Sequence, residues 1–240
     1  DPERYLTAVA RTYYGDTSGN VAAAERALRD AHQVLRKAGV GDGSNFVFWV
    51  DPWTPEGQVQ AAHVVPVARD VRLLAEEAIV RIARARAAGA IREPDALDAI
   101  ELGARRMDFL AMKFQFADEA ARIYTRLYAA SRDTAQARTT PSADFDDVSG
   151  INGRLQDLRD GFSGLRDLYA AAWRREKRPY GLGNVTARYD LSAQRWIDRI
   201  DRMEAARRQW SRTGRLPAPA DVGIVPAPPA ALTADAVPDP

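Results

Sequence analysis

Apolar residues return every three or four positions over most of this chain, and a single run, Phe46-Val47-Phe48-Trp49-Val50, has the continuous apolar character of a strand. That imbalance limits the fold more than any other feature. A lone strand leaves its backbone N–H and C=O groups unpaired, so the run is expected as an extended segment packed against helices. Alternating strands and helices, the requirement of a catalytic barrel, are missing.

The periodicity predicts an all-α bundle of about six mostly antiparallel helices. The first runs from about Pro2 to Tyr14 and stops at Gly15, and the second, from about Asn20 to Ala38, stops at Gly39. After Asp51-Pro52-Trp53, Thr54 caps a long third helix, about Pro55 to Ala88, with Pro55 in its first turn. Pro66 should kink that helix, because proline removes one hydrogen bond and crowds the turn before it. The fourth covers about Pro94 to Ala130, the fifth about Ile151 to Arg178 and the sixth about Val185 to Thr213. Gly153, Gly161 and Gly164 weaken the fifth locally and allow a close helix approach.

Between these, Ser131 to Ser149 has few large apolar residues and is expected as a linker or lid. Beyond Gly214 the composition changes, with seven of the 14 prolines lying between Leu216 and Pro240. Such a stretch buries too little to offset its ordering entropy. The expected organisation is a helical bundle over 1–214 and a Pro/Ala-rich tail or linker over 215–240.

Composition removes several functions. The chain has 240 residues, 46% hydrophobic and 28% charged, as a soluble globular protein would. Its 34 basic and 33 acidic residues give a net charge of +1, without the surplus a nucleic-acid binder carries. No cysteine is present, so disulfides, thiolate chemistry and cysteine-ligated metals are excluded. No apolar run nears the roughly 20 residues a membrane span needs. The opening Asp1-Pro2-Glu3-Arg4 does not read as a signal peptide, and a first residue other than Met suggests an excised or processed piece. Alanine and arginine dominate while lysine occurs only at Lys37, Lys113 and Lys177, a pattern of GC-rich bacterial coding.

Few residues point to chemistry. His32 and His63 are separated and lack a histidine or carboxylate at ligand spacing, so they read as structural or surface residues, with no metal site. Gly181-Leu182-Gly183-Asn184 follows a helix rather than a strand and reads as a turn, not a phosphate loop. The adjacent carboxylates Glu76-Glu77, Asp118-Glu119 and Asp146-Asp147 point about 100° apart on a helix, which suits acid–base hydrolysis poorly. Asp118 is expected on a solvated face, paired with Arg122. Trp173, Trp196 and Trp210 have core spacing, whereas Trp49, Trp53 and Tyr180 lie in or beside loops. There each ring is either a platform for a sugar or partner, or packing over helix ends. Arg174, Arg175, Lys177 and Arg178 form a basic cluster at a helix C-terminus, where the dipole favours it.

The segment from Leu168 to Asp190, with Trp173-Arg174-Arg175-Glu176-Lys177-Arg178-Pro179-Tyr180 at its centre, resembles a Trp-x-Arg-Glu-Asn-Arg-Pro-Tyr-type stretch. That stretch lies near the C-terminus of large bacterial proteins related to family 20 glycoside hydrolases, the β-N-acetylhexosaminidase group. Phe48-Trp49-Val50-Asp51-Pro52-Trp53 and Lys113-Phe114-Gln115-Phe116-Ala117-Asp118-Glu119 are similar to parts of the same region. The resemblance implies a helical domain that follows a catalytic barrel, in an exported or periplasmic parent protein. It does not carry the family's Asp-Glu catalytic pair onto Asp118 and Glu119, which follow Phe116-Ala117 on a helix and match in two letters only.

The expectation is therefore a non-catalytic accessory domain without cofactor, packed on the barrel of its parent. It would present Trp49, Trp53, Arg178 and Tyr180 to an oligosaccharide. The rival is a self-contained helical module whose loop aromatics dock a protein partner, and the third choice a helical enzyme using Asp118 and Glu119.

Overall fold

A computed structural model describes residues 1–43, 45–89, 91–132, 142–176 and 180–228. Among them the chain is all-helical, with no strand. The helices are α1 (Pro2–Thr12), α2 (Asn20–Lys37), α3 (Phe46–Trp49), α4 (Pro55–Val64), α5 (Ala68–Ala88), α6 (Pro94–Arg132), α7 (Ser142–Ser149), α8 (Arg154–Glu176) and α9 (Leu182–Thr213).

Local signals set most of these boundaries. The Thr54 hydroxyl accepts from Gly57 N–H at 3.2 Å and starts α4. Pro66 converts one turn, Val65–Val67, to a 3₁₀ helix and so separates α4 from α5. Gly214 ends α9 with φ 67°, a left-handed conformation that glycine adopts without a Cβ clash.

Five long helices pack in the order α2, α5, α6, α8, α9, each against the next. Ion pairs report their directions. Arg72 with Asp108 and Arg86 with Asp98 set α5 antiparallel to α6, and Arg154 with Glu119 and Arg175 with Asp98 do the same for α8. The spine is α6, whose 39 residues span about 58 Å at 1.5 Å per residue.

The interior is divided along that spine. At one end α1, α2 and α5 meet α6 through Ala24, Ala27, Ala78, Ala85 and Ala104, with Val21, Ile82 and Leu97 between them. At the other end the core is aromatic, with Phe48, Phe109, Phe114, Tyr124, Phe162 and Tyr189 all buried. Phe109 meets Phe162 edge-on at 4.7 Å and Phe48 meets Phe162 at 5.9 Å, both favourable aromatic geometries.

Three expectations change. Phe46–Trp49 is one helical turn and not an extended segment, because side chains supply the hydrogen bonds at both its ends. The expected linker contains α7, whose Phe145 and Val148, three residues apart, are both fully buried; residues 133–141 of that linker lie outside the described residues. The tail expectation fails for its first part. Leu216, Val222, Ile224 and Ala227 are buried, so 215–228 is a strap laid back over the bundle, while 229–240 lie outside the described residues. Its four prolines have no N–H group to satisfy, and side chains of the bundle meet backbone groups of the strap. Tyr124 donates to the Pro217 carbonyl at 3.0 Å, and Ala227 N–H donates to Asp118 at 2.9 Å.

Candidate functional site

The densest grouping of charge and aromatic surface is the seam where α3 and the loop after it meet α6 and α9. It begins with backbone chemistry. A four-residue helix has almost no internal hydrogen bonds, so nearly all its N–H and C=O groups need outside partners. Asp42 accepts from Asn45 N–H at 3.1 Å and Phe46 N–H at 3.3 Å. At the other end Lys113 Nζ donates to the carbonyls of Val47, Phe48 and Val50 at 2.9, 2.8 and 2.7 Å.

Lys113 is 1% exposed. Burial pulls its ammonium down to about 7, with Asp51 pushing up and Arg195 adding to the fall. Its chemistry follows from its geometry. Its Nζ is buried and turned onto three carbonyls, so in either protonation state it presents no open face to a substrate. The lysine closes a helix end.

Asp51 is equally committed. One oxygen accepts from Trp53 N–H at 3.0 Å and the other from Arg199 at 2.5 Å. Burial lowers the pKa of Arg199, and the Asp51 carboxylate opposes that fall. The Arg199 guanidinium also lies 4.4 Å from the Trp53 ring and 4.5 Å from the Trp196 ring, a cation–π arrangement with both. The cavity between Trp49, Asp51, Lys113, Ser192, Arg195 and Arg199 is about 10 Å³, no more than a water needs, and it excludes a sugar ring.

Of the residues expected to bind substrate, the structure describes Trp49, Trp53 and Tyr180. Trp53 is 7% exposed and its ring meets Trp196 at 5.5 Å, so it serves packing rather than as a platform. Trp49 is half-buried, edge-on to Tyr189 at 4.8 Å, and the Arg188 guanidinium sits 4.4 Å from its ring. Tyr180 is 93% exposed in the turn before α9, whose first residue, Leu182, lies about 10 Å along the helix axis from Tyr189. Arg178 lies outside the described residues.

The carboxylate pairs are taken as well. Asp118 pairs with Arg122 at 2.6 Å as its spacing predicts, yet it is buried under the strap rather than solvated. Glu119 accepts from Gln115 at 2.8 Å and Arg154 at 3.1 Å, and Asp146 pairs with Arg207 at 2.7 Å. Glu76 and Glu77 pair with Arg72 and Arg81 along α5. In the groove between α6 and α8, burial raises Glu101, but hydrogen bonds from Arg86 and Arg105 outweigh it and keep the carboxyl below its usual range. His32 and His63 are exposed, and no metal-ligating cluster occurs among the described residues.

Sequence reasoning missed Lys113 and Arg199 as organisers of this seam. A signal existed for the first: a lysine between Met112 and Phe114, on a stretch of helix with apolar residues on both sides, has no obvious route to water. None existed for the second, since Asp51 and Arg199 are 148 positions apart. No helix among the described residues is long and apolar enough to cross a membrane. Compared with protein-family models, curated proteins and solved structures, the chain matches none.

Proposed function

We propose that this chain is a non-catalytic helical module that works by docking, and that its partner is the catalytic barrel of a bacterial glycoside hydrolase of which it is an accessory domain. One observation carries the non-catalytic part. Each group suited to acid–base or nucleophilic work in the α3–α9 seam and the carboxylate pairs is held in a structural hydrogen bond or ion pair. An acid–base pair needs two carboxyls in contrasting environments, facing a space that admits substrate. Asp118 is buried against Arg122, and Glu119 is paired with Arg154.

The choice of partner rests on the resemblance of Leu168 to Asp190 to the C-terminal region of family 20-related proteins. Any carbohydrate contact falls to Arg178, Tyr180 and the accessible part of Trp49, since the Trp53 ring is enclosed. The rival reading, a self-contained module for another protein, draws on the same committed carboxylates.

The test has two arms. The purified chain is expected to leave aryl glycosides intact and to associate in trans with a barrel domain encoded next to it. Hydrolysis by the chain alone, abolished by Glu119→Gln, would overturn the proposal. The absence of an encoded barrel, with firm binding to an unrelated protein, would replace it by the rival.

A further inference from the structure

Helix α9 carries arginine at seven-residue steps, Arg188, Arg195 and Arg202, with Arg199 between the last two. Seven residues make nearly two turns and rise about 10.5 Å, so these three lie in one row about 21 Å long. All three are exposed. Elsewhere on α9, Asp190 pairs with Arg166 of α8 and Arg207 with Asp146 of α7, while Arg208 and Arg212 near its C-terminus have no such pair among the described residues. In the row, none of the three arginines has a carboxylate within ion-pair distance among the described residues, and Asp198, between Arg195 and Arg202, accepts instead from Gln194 at 2.9 Å. The carboxylate of Asp51, beside the row, is occupied by Arg199 and the Trp53 amide.

The cations are also close enough to strain one another. Arg195 and Arg202 both disfavour the charged form of Arg199, and Arg195 disfavours that of Lys113. Such a surplus is relieved by an anion from outside. Its form follows from the shape of the surface. The cavity beneath the row is about 10 Å³, too small to seat an organic anion, and the guanidiniums are strung along a convex helix instead of converging. A partner helix with acidic residues at seven-residue intervals has the same rise per step and matches all three. Apolar margin is present as well, for Leu191 is 62% exposed and Trp49 is half-buried against Arg188.

We infer that Arg188, Arg195 and Arg202 form a docking surface for a helix of a partner protein that presents Glu or Asp every seventh residue, with Leu191 and Trp49 as its apolar border. The inference rests on the reading of the chain as a docking module and gives the partner its chemistry. Exposed ion pairs are individually weak, so the row sets register and association rate more than affinity.

The test uses the full chain and a fluorescent helical peptide of about four heptads with Glu once per heptad, against a scrambled peptide of equal composition. In low salt, anisotropy is expected to show the heptad peptide binding at least about tenfold more tightly than the scrambled one. The R188Q/R195Q/R202Q variant, shown folded by circular dichroism, should lose that advantage, while R4Q/R11Q on α1 should keep it. Equal binding of both peptides, no effect of the triple variant, or tighter binding of an oligogalacturonate than of the heptad peptide would each overturn the inference. Glycoside hydrolysis by the chain alone would sink the docking-module reading itself, so the two failures are distinguishable.

Discussion

Lys113 is pulled in two directions by its surroundings. Removal from water disfavours its charge, while three carbonyl oxygens at the end of α3 require its three protons. Lys113→Met should therefore leave three buried or partly buried carbonyls without partners and destabilise the protein by about 3 kcal/mol or more in urea unfolding. The titration has a defined sign. The folded-state pKa of about 7 lies below the unfolded value of 10.5, so between those pH values the unfolded chain holds a proton that the folded one has released. Stability from this group then rises with pH across that window, by at most about 1.4 kcal/mol per unit. Comparing wild type with Lys113→Met from pH 7 to 10 should show that slope in the first and not in the second. A flat wild-type profile would mean that the carbonyls hold the ammonium charged throughout.

Between elements, contacts turn on the size of single residues. Gly161 on α8 faces Phe109 of α6 so closely that a Cβ there would overlap the aromatic ring. Gly161→Ala should cost about 1–3 kcal/mol through overpacking, measured as a lower urea midpoint, whereas the same change at Gly164, which has open space around it, should raise stability by up to about 1 kcal/mol. The strap makes a second case. Asp118 accepts from Ala227 N–H and from Arg122, so Asp118→Ala leaves a buried donor unpaired and should release the end of the strap. Limited proteolysis beyond Gly214 should then accelerate, with the helical content unchanged. Much at this level was legible beforehand. Thr54 and Pro66 act within a turn or two of chain: the first delivered the expected cap, and the second, expected to kink one long helix, replaces a turn of it by a 3₁₀ helix. α3, α7 and the strap were not: the unbroken apolar run of α3 has no helical period and its end is closed by Lys113 from far along the chain, while α7 and the strap have few large apolar residues to signal their burial.

In the molecule as a whole, an alanine-rich core and an aromatic core share α5 and α6. Because the 39-residue α6 runs through both, neither end can melt without shortening a helix that the other needs. Circular dichroism, which reports on both ends, should therefore trace the same urea transition as tryptophan fluorescence, which reports mainly on the aromatic end. A dichroism change that precedes the fluorescence change would show the alanine-rich end unfolding first. The sequence by itself determined that the chain is helical, where most long helices begin and end, and that Pro66 disturbs one of them. Those properties depend on periodicity and on contacts within one turn. The tertiary structure alone decided that Asp51 joins Arg199, that Lys113 closes α3, that Trp53 is enclosed and that the strap lies over Asp118. Each of these needs two groups distant in the chain to leave water together, and only the packed bundle brings them within hydrogen-bonding or van der Waals reach.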